Sequence, residues 1–125
     1  PTLPYLSRLD APVGVEWISP MALLFQPDRA WQSAVFSPYP RANKGNRHRG
    51  HGDIMGYAIR TDHFRYVEWH QWKTKQVVAR ELYDYKTDSH EMKNVAAETD
   101  RVSTVQKLSQ RLAEGWKAAL PRDYK

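Results

Sequence analysis

The sequence predicts an α+β fold, a small four-stranded antiparallel sheet with a C-terminal helix packed on one face. Three observations predict it. β-rich runs separated by polar turns occur between residues 31 and 84, the apolar period becomes helical near residue 99, and a length of 125 residues suits one domain. A half-apolar sheet and an amphipathic helix can bury each other's apolar surfaces, so we expect them to pack together.

The first segment of the chain is predicted to contain short helices. Leu3, Leu6 and Leu9 recur at three-residue intervals, which is typical of a short amphipathic helix whose apolar stripe needs a covering surface. Residues 18–25 form an apolar run, but Pro20 inside it favours a short helical turn over a regular strand.

The whole chain, residues 1–125, is interpreted as one subdomain of a longer protein. The chain opens abruptly with Pro-Thr-Leu-Pro, and we expect this opening to be an interior point of a longer polypeptide. No signal-peptide pattern begins there. Residues 1–30 are then the remnant that connects a preceding domain. Residues 31–125 hold the sheet and the C-terminal helix.

Four β-rich runs make up the predicted sheet. Residues 31–36 end in a β-favouring run, which residues 37–40 are expected to stop because two prolines remove two ladder donors. Residues 54–60 and 64–69 are joined by a short polar turn and predict a β-hairpin. Residues 77–84 supply the fourth strand.

The C-terminal helix is predicted from a change of period. Apolar residues recur three or four positions apart from Val102 to Leu120, with basic and polar residues between them. We expect Thr99 or Asp100 to be the N-cap and Pro121 to end the helix.

Composition excludes several classes of function. There is no cysteine, so a disulfide framework, a thiolate metal site and a thiol nucleophile are all excluded. No apolar run approaches the length of about 18 residues needed to span a membrane. Nineteen lysines and arginines against 14 aspartates and glutamates give a net charge of +5, and several of the positive charges crowd into one short stretch.

That stretch, residues 41–53, is predicted to be an exposed loop, and we call it the basic loop. Guanidinium groups match the oxygens of sulfate, phosphate or carboxylate in pairs, so the pattern favours anion recognition. A metal site formed by His48, His51 and Asp53 is an alternative, although the flanking arginines would repel a dication. A solvated loop without a ligand also remains open. Its basic residues are Arg41, Lys44, Arg47, His48, Arg49 and His51.

A complete catalytic constellation is not found in the sequence. The serines lie in no motif that would activate a nucleophile, and Glu68, Glu81 and Asp84 are interpreted as charges at strand edges. Trp69 and Trp72 lie near the basic loop. They are expected either to stack on bases or sugars or to fill a small core and a domain interface.

Several motifs resemble one known family, the formylglycine-dependent sulfatases. Ser-Pro-Tyr-Pro-Arg at residues 37–41, followed by Ile-Met-Gly-Tyr-Ala-Ile-Arg from residue 54 and Phe-Arg-Tyr-Val-Glu-Trp from residue 64, resembles the C-terminal subdomain of the iduronate-2-sulfatase branch. Glu-Leu-Tyr-Asp at residues 81–84 and the segment 87–96 resemble the common sulfatase ending. Ser89 stands where the family usually has proline.

The resemblance implies that the catalytic machinery lies elsewhere. Members of this family hydrolyse sulfate esters with a formylglycine made in a Cys/Ser-x-Pro-x-Arg motif, beside a calcium ion held by the N-terminal domain. Ser37 is a near miss, because Tyr39 stands where that motif requires proline. We therefore expect calcium and formylglycine in an N-terminal catalytic domain, which is the implied partner, and predict that this chain alone is inactive.

The resemblance also implies a substrate and a compartment. Substrates of this branch are 2-O-sulfated uronates of glycosaminoglycans, so Lys44, Arg47 and His48 are expected to meet the sugar carboxylate or a sulfate at the pocket rim. Arg41 is expected to be either a further rim residue or a structural ion-pair partner, and His51 to help orient the ligand. The expected location is extracytoplasmic, in a periplasm or a lysosome, with no nucleic-acid or membrane partner.

A second class of function remains open at this point. The basic loop and the tryptophans would also suit a free-standing module that binds sulfated glycan or nucleic acid by charge and stacking. Such a module would bind its ligand with a strong dependence on salt concentration.

Overall fold

The computed structural model describes residues 20–41 and 53–120, and the chain divides into two compact units, residues 1–31 and 32–125. In the first unit the described residues contain a short helix, α1 (Met21–Phe25), which follows a turn at Pro20. The predicted helical turn is therefore present. The predicted helix around Leu3, Leu6 and Leu9 lies outside the described residues.

The second unit contains the predicted sheet and helix. All strands are antiparallel and lie in the order β1-β2-β3-β4, so that each pairs with its neighbour in sequence. A 3-10 turn leads into the helix and another follows it. The predicted α+β fold class is confirmed. The elements are β1 (Val35–Arg41), β2 (Ile54–Arg60), β3 (Phe64–Gln71), β4 (Val77–Asp84) and α2 (Val102–Glu114).

The two faces of the sheet differ in what they contact. The register aligns Ile59, Tyr66 and Leu82 across three strands, and all three side chains are fully buried in one cluster with Leu108 of α2. We call this side the helix face. On β3 its residues alternate with those of the opposite side, because successive side chains of a strand point to opposite faces. We call the opposite side the open face, and it contains Arg41, Gly56, Arg60, Arg65, Val67, Trp69, Glu81 and Tyr83.

The first strand is longer than the sequence predicted. It continues through Pro38 and Pro40 to Arg41, whereas residues 37–40 were expected to end it. The expectation is wrong because β1 is an edge strand. Two prolines spaced two residues apart direct their ring nitrogens to the same side, and at an edge that side needs no ladder donor.

The helix has different ends from those predicted. Thr99 and Asp100 belong to the preceding 3-10 turn, and Arg101 is the N-cap residue, without a capping side-chain hydrogen bond. The helix ends before Gly115, whose φ of 79° is a left-handed conformation that glycine adopts at little cost. Pro121, the predicted end, lies outside the described residues.

The outer edge of β4 is covered by the segment that follows it. The Asn94 side chain accepts a hydrogen bond from the Leu82 N–H at 3.0 Å and donates to the Arg80 carbonyl at 3.2 Å. The Val95 N–H donates to the Leu82 carbonyl at 2.9 Å. These bonds satisfy backbone groups that an edge strand would otherwise leave exposed. The Leu-Tyr-Asp and Asn-Val-Ala motifs therefore have a structural role here.

Candidate functional site

A buried carboxylate, Glu68, organises the polar side chains of the helix face. It is 6% exposed and accepts hydrogen bonds at Oε1 from the Tyr66 hydroxyl at 2.8 Å and from the Ser109 hydroxyl of α2 at 2.6 Å. The His70 Nε2 lies 2.8 Å from its Oε2, and the Arg80 Nε lies 3.8 Å from its Oε1. The Glu68 carboxylate therefore connects β3 to β4 through Arg80 and to α2 through Ser109.

The environment of this carboxylate shifts two pKa values. Burial opposes ionisation of Glu68, but hydrogen bonds from Ser109, Tyr66 and His70 favour the charged form, and the net effect lowers its pKa. Burial and the neighbouring carboxylate raise the pKa of Tyr66 to about 12. The carboxylate is therefore held ionised and the phenol is held neutral.

Serine, histidine and a carboxylate meet at this point, but not in the order that nucleophilic catalysis requires. In a catalytic triad the histidine lies between the serine and the acid, so that it can take the serine proton. Here Glu68 lies in the middle, bonded to Ser109 on one oxygen and to His70 on the other. The arrangement joins the helix to the sheet and leaves the serine without a base.

Asp84 forms a second buried ionic contact, at the end of β4. It is 5% exposed, its Oδ2 lies 3.0 Å from the Arg101 guanidinium, and its Oδ1 accepts the Lys86 N–H at 3.0 Å. The pair joins the end of the sheet to the start of the helix. The interpretation of Glu68 and Asp84 as strand-edge charges is therefore wrong, because both side chains face the helix and are buried. Glu81 is half-buried on the open face.

The open face is built on one close contact between a ring and the backbone. Trp69 lies over Gly56, where an added Cβ would come within 2.8 Å of the indole Cζ3. The indole N–H donates to Glu81 at 2.8 Å, and the Arg41 guanidinium lies 5.5 Å from the ring centroid. Glycine at this position therefore lets the ring lie flat against the sheet, and Arg41 covers part of it.

Two further arginines lie over tyrosine rings near the other end of the open face. The Arg65 guanidinium is 5.8 Å from the Tyr83 ring centroid, and that of Arg60 is 4.6 Å from the Tyr85 ring centroid. Arg65 also pairs with Glu91, which accepts a hydrogen bond from the Tyr85 hydroxyl. The open face thus presents arginines held in place by aromatic rings.

The structure places one of the predicted rim residues. Arg41 is exposed at the end of β1 and stacks on Trp69. Lys44, Arg47, His48 and His51 lie outside the described residues, so their predicted roles stay predictions. Glu68 was not recognised as the centre of a network. Its alternation with Phe64 and Tyr66 could have indicated the helix face, but its partner Ser109 is 41 residues away in sequence.

Metal ligands and membrane spans were also sought among the described residues. Within residues 20–41 and 53–120, no group of three or more histidine, aspartate or glutamate side chains is placed to hold a metal ion. None of the described helices is long and apolar enough to cross a membrane.

Solved structures share this fold at low sequence identity. The chain is similar to BT4656 in complex with its substrate D-glucosamine-2-N,6-O-disulfate, with a TM-score of 0.68, 22% identity, and coverage of 94% of this chain and 22% of that one. It is also similar to a putative sulfatase from Bacteroides thetaiotaomicron, with a TM-score of 0.65 and 19% identity. That match covers 95% of this chain and 24% of the other. The match to the phosphonate monoester hydrolase of Agrobacterium radiobacter has a TM-score of 0.52 and 23% identity. It covers 90% of this chain and 19% of the other.

These likenesses show the fold alone, and the chain spans between 19% and 24% of the length of the three proteins. A comparison with curated protein sequences gave no match. A family model described as N-sulphoglucosamine sulphohydrolase, C-terminal, matches residues 1–118. The predicted resemblance to a sulfatase C-terminal subdomain is confirmed, and the chain belongs to the family of N-sulphoglucosamine sulphohydrolase C-terminal domains.

Proposed function

We propose that this chain is the C-terminal part of a sulfatase and works only together with an N-terminal catalytic domain. The observation that carries the proposal is the family match over residues 1–118. It is supported by the polar clusters of the described residues, in which hydroxyls and carboxylates bond to one another and no nucleophile is paired with a base. The formylglycine and the calcium ion belong to the N-terminal domain in this proposal, and the chain alone is inactive.

The open face is the surface that meets the catalytic domain. Arginine, tryptophan and tyrosine are enriched in protein interfaces, and this face presents all three in stacked pairs. Val67 in its centre is 3% exposed, so neighbouring side chains already cover it, and a partner would contact the rings and arginines around it. Tyr39 and Val35 at the β1 edge are 64% and 60% exposed, which leaves apolar surface for the same partner to cover.

The basic residues contribute to the rim of the substrate pocket. Lys44, Arg47 and His48 meet a carboxylate or a sulfate of the sugar, Arg41 supports them from the end of β1, and His51 helps to orient the ligand. Alanine substitution of Lys44 or Arg47 in the full-length protein should raise KM for a sulfated disaccharide. An unchanged KM in both variants would show that Lys44 and Arg47 do not contact the substrate.

The substrate is a sulfated sugar of the glycosaminoglycan type. The sequence resemblance favours a 2-O-sulfated uronate, whereas the family description and the BT4656 structure name sulfated glucosamine. Both carry a sulfate on a pyranose ring and differ in the neighbouring carboxylate. By the same resemblance, the full protein works outside the cytoplasm.

The proposal is tested by sulfate release from the full-length protein that contains this chain. Disaccharides carrying a 2-O-sulfated uronate or an N-sulfated glucosamine are compared, with a phosphonate monoester as a third substrate because one neighbour of this fold hydrolyses that class. We expect sulfate release from one of the saccharides and none by the 125-residue chain alone. Hydrolysis of the phosphonate monoester alone would overturn the proposal.

A further inference from the structure

One end of the sheet brings together positive charge and aromatic rings from separate segments. The register pairs Arg41 with Ile54 and Ile54 with Gln71, so the end of β1, the start of β2 and the end of β3 lie side by side. The Trp72 N–H donates to the Asp53 carbonyl at 2.8 Å, which fixes the turn between β3 and β4 at the same end. We call this surface the basic sheet end, and it consists of Arg41, Trp72, Lys73 and Lys75.

The turn holds one ammonium group in a defined position. Lys75 has a φ of 61°, a left-handed conformation that glycine or asparagine adopts more cheaply. Its N–H donates to the Gln71 carbonyl at 2.8 Å, and its Nζ lies 4.0 Å from the centroid of the Trp72 ring. The backbone of this turn favours a different residue, so the left-handed position of Lys75 is consistent with a role for its side chain.

Basic side chains predominate on this surface. Arg41, Lys73 and Lys75 are exposed and residues 71–76 contain no acidic side chain, so these three outnumber the exposed carboxylate of Asp53 beside them. Stacking on Trp69 and Trp72 restricts Arg41 and Lys75, which lowers the entropy lost when they bind an anion. A guanidinium that pairs with two oxygens and ammonium groups that act as point charges suit a sulfate or a carboxylate.

We propose that the basic sheet end binds a sulfate or carboxylate group on a sugar that flanks the one being hydrolysed. The inference rests on the proposed function and deepens it, because it assigns the turn between β3 and β4 to the flanking part of the saccharide chain. The residues assigned to it differ from the rim residues predicted from the sequence, except for Arg41, which belongs to both sets.

The test measures binding of a heparin-derived sulfated tetrasaccharide to the 125-residue chain by titration calorimetry. The Lys73→Ala/Lys75→Asn variant removes two charges, and asparagine suits the left-handed position. The Lys86→Ala/Lys107→Ala variant removes the same charge from exposed positions elsewhere. Circular dichroism checks the fold of each variant, and Lys73→Ala alone serves if the double variant is unfolded.

We expect the variant of the turn to bind about tenfold more weakly than the unmodified chain, and the control variant less than about twofold more weakly. Equal losses in both variants, or no binding by the unmodified chain at millimolar ligand, would overturn the proposal. Equally tight binding of single-stranded DNA with the same dependence on Lys73 and Lys75 would also overturn it, since the surface would then be a general polyanion site.

The full-length protein separates this proposal from the proposed function. The variant of the turn should raise KM for a sulfated tetrasaccharide and leave sulfate release from a sulfated monosaccharide unchanged. If the protein releases sulfate from both substrates and the variant leaves both KM values unchanged, the flanking site is rejected and the proposed function stands. Absence of sulfate release from every saccharide rejects the proposed function.

Discussion

The two faces of the sheet use the same kinds of side chain in opposite ways. On the helix face Glu68 is buried and bonded to a tyrosine, a serine and a histidine, and it joins three elements of this chain. On the open face Glu81 bonds to Trp69 and to Tyr83, and the arginines beside it remain partly accessible. Among the described residues, contacts within the chain thus complete the helix face, whereas the open face presents partly accessible polar groups and rings.

The largest expected effect comes from the helix face. Glu68→Leu leaves the Tyr66 and Ser109 hydroxyls without their acceptor in a buried place, so the free energy of unfolding should fall by about 3 kcal/mol. Glu81→Leu is the matched control on the open face and should cost about 1 kcal/mol, because its partners can turn to water. Urea unfolding of the chain measures both. Equal losses would contradict the difference between the faces.

A methyl group added to the open face tests the contact between Trp69 and Gly56. Gly56→Ala brings a Cβ within 2.8 Å of the indole, so the ring must shift, and we expect a loss of about 2 kcal/mol in the free energy of unfolding. Combined with Trp69→Leu, the same substitution should cost less than about 1 kcal/mol, because the clashing ring is gone. An unchanged cost in the double variant would show that the strain lies elsewhere.

Most of the sheet could be predicted from local sequence patterns, but the course of β1 and the end of the helix were not. Alternation and turn residues were enough for the hairpin of β2 and β3 and for β4. The passage of β1 through Pro38 and Pro40 depends on its place at the sheet edge, which no local pattern shows. Gly115 was an available signal for the end of the helix, because a glycine after the last periodic residues is typical of a helix C-terminus.

The candidate site was less accessible to sequence reasoning than the fold. The role of Glu68 depends on the packing of α2 over β3, a relation between distant segments that charge patterns do not reveal. Arg41 was identified from charge, but its stacking on Trp69 follows from the strand register. The Trp72 and Lys75 pair was missed because the left-handed turn that forms it has no glycine to mark it.

The pH dependence of stability should follow the buried pair on the helix face. The folded pKa of Glu68 is lowered, so its contribution is present above its unfolded value near 4.5 and is lost as pH falls through the folded value. The pKa of Tyr66 is raised to about 12, so its contribution is present below pH 10 and is lost as pH rises to about 12. Thermal unfolding from pH 2 to 12 measures both limbs.

Single substitutions assign the two limbs of that profile. Glu68→Gln should flatten the acid limb, and Tyr66→Phe should reduce the alkaline limb. Tyr83 and Tyr85 on the open-face side, whose pKa values are also raised by burial and neighbouring carboxylates, keep part of the alkaline limb. If Glu68→Gln leaves the acid limb unchanged, other carboxylates cause that limb.

The smallest expected effect on the chain itself is at Arg65. Its ion pair with Glu91 and its stacking on Tyr83 are partly exposed, so Arg65→Ala should lower the free energy of unfolding of the isolated chain by less than about 1 kcal/mol. In the full-length protein the same substitution removes an arginine from the proposed interface and should lower the melting temperature further than it does in the chain. Equal shifts in melting temperature in the chain and in the full-length protein would show that Arg65 does not contact the catalytic domain.

The most direct test of the central claim is to compare sulfate release by the 125-residue chain with that by the full-length protein, on the same sulfated glycosaminoglycan disaccharides. We expect sulfate release by the full-length protein and none by the chain alone. Sulfate release by the isolated chain, or none by the full-length protein on any of these saccharides, would contradict it.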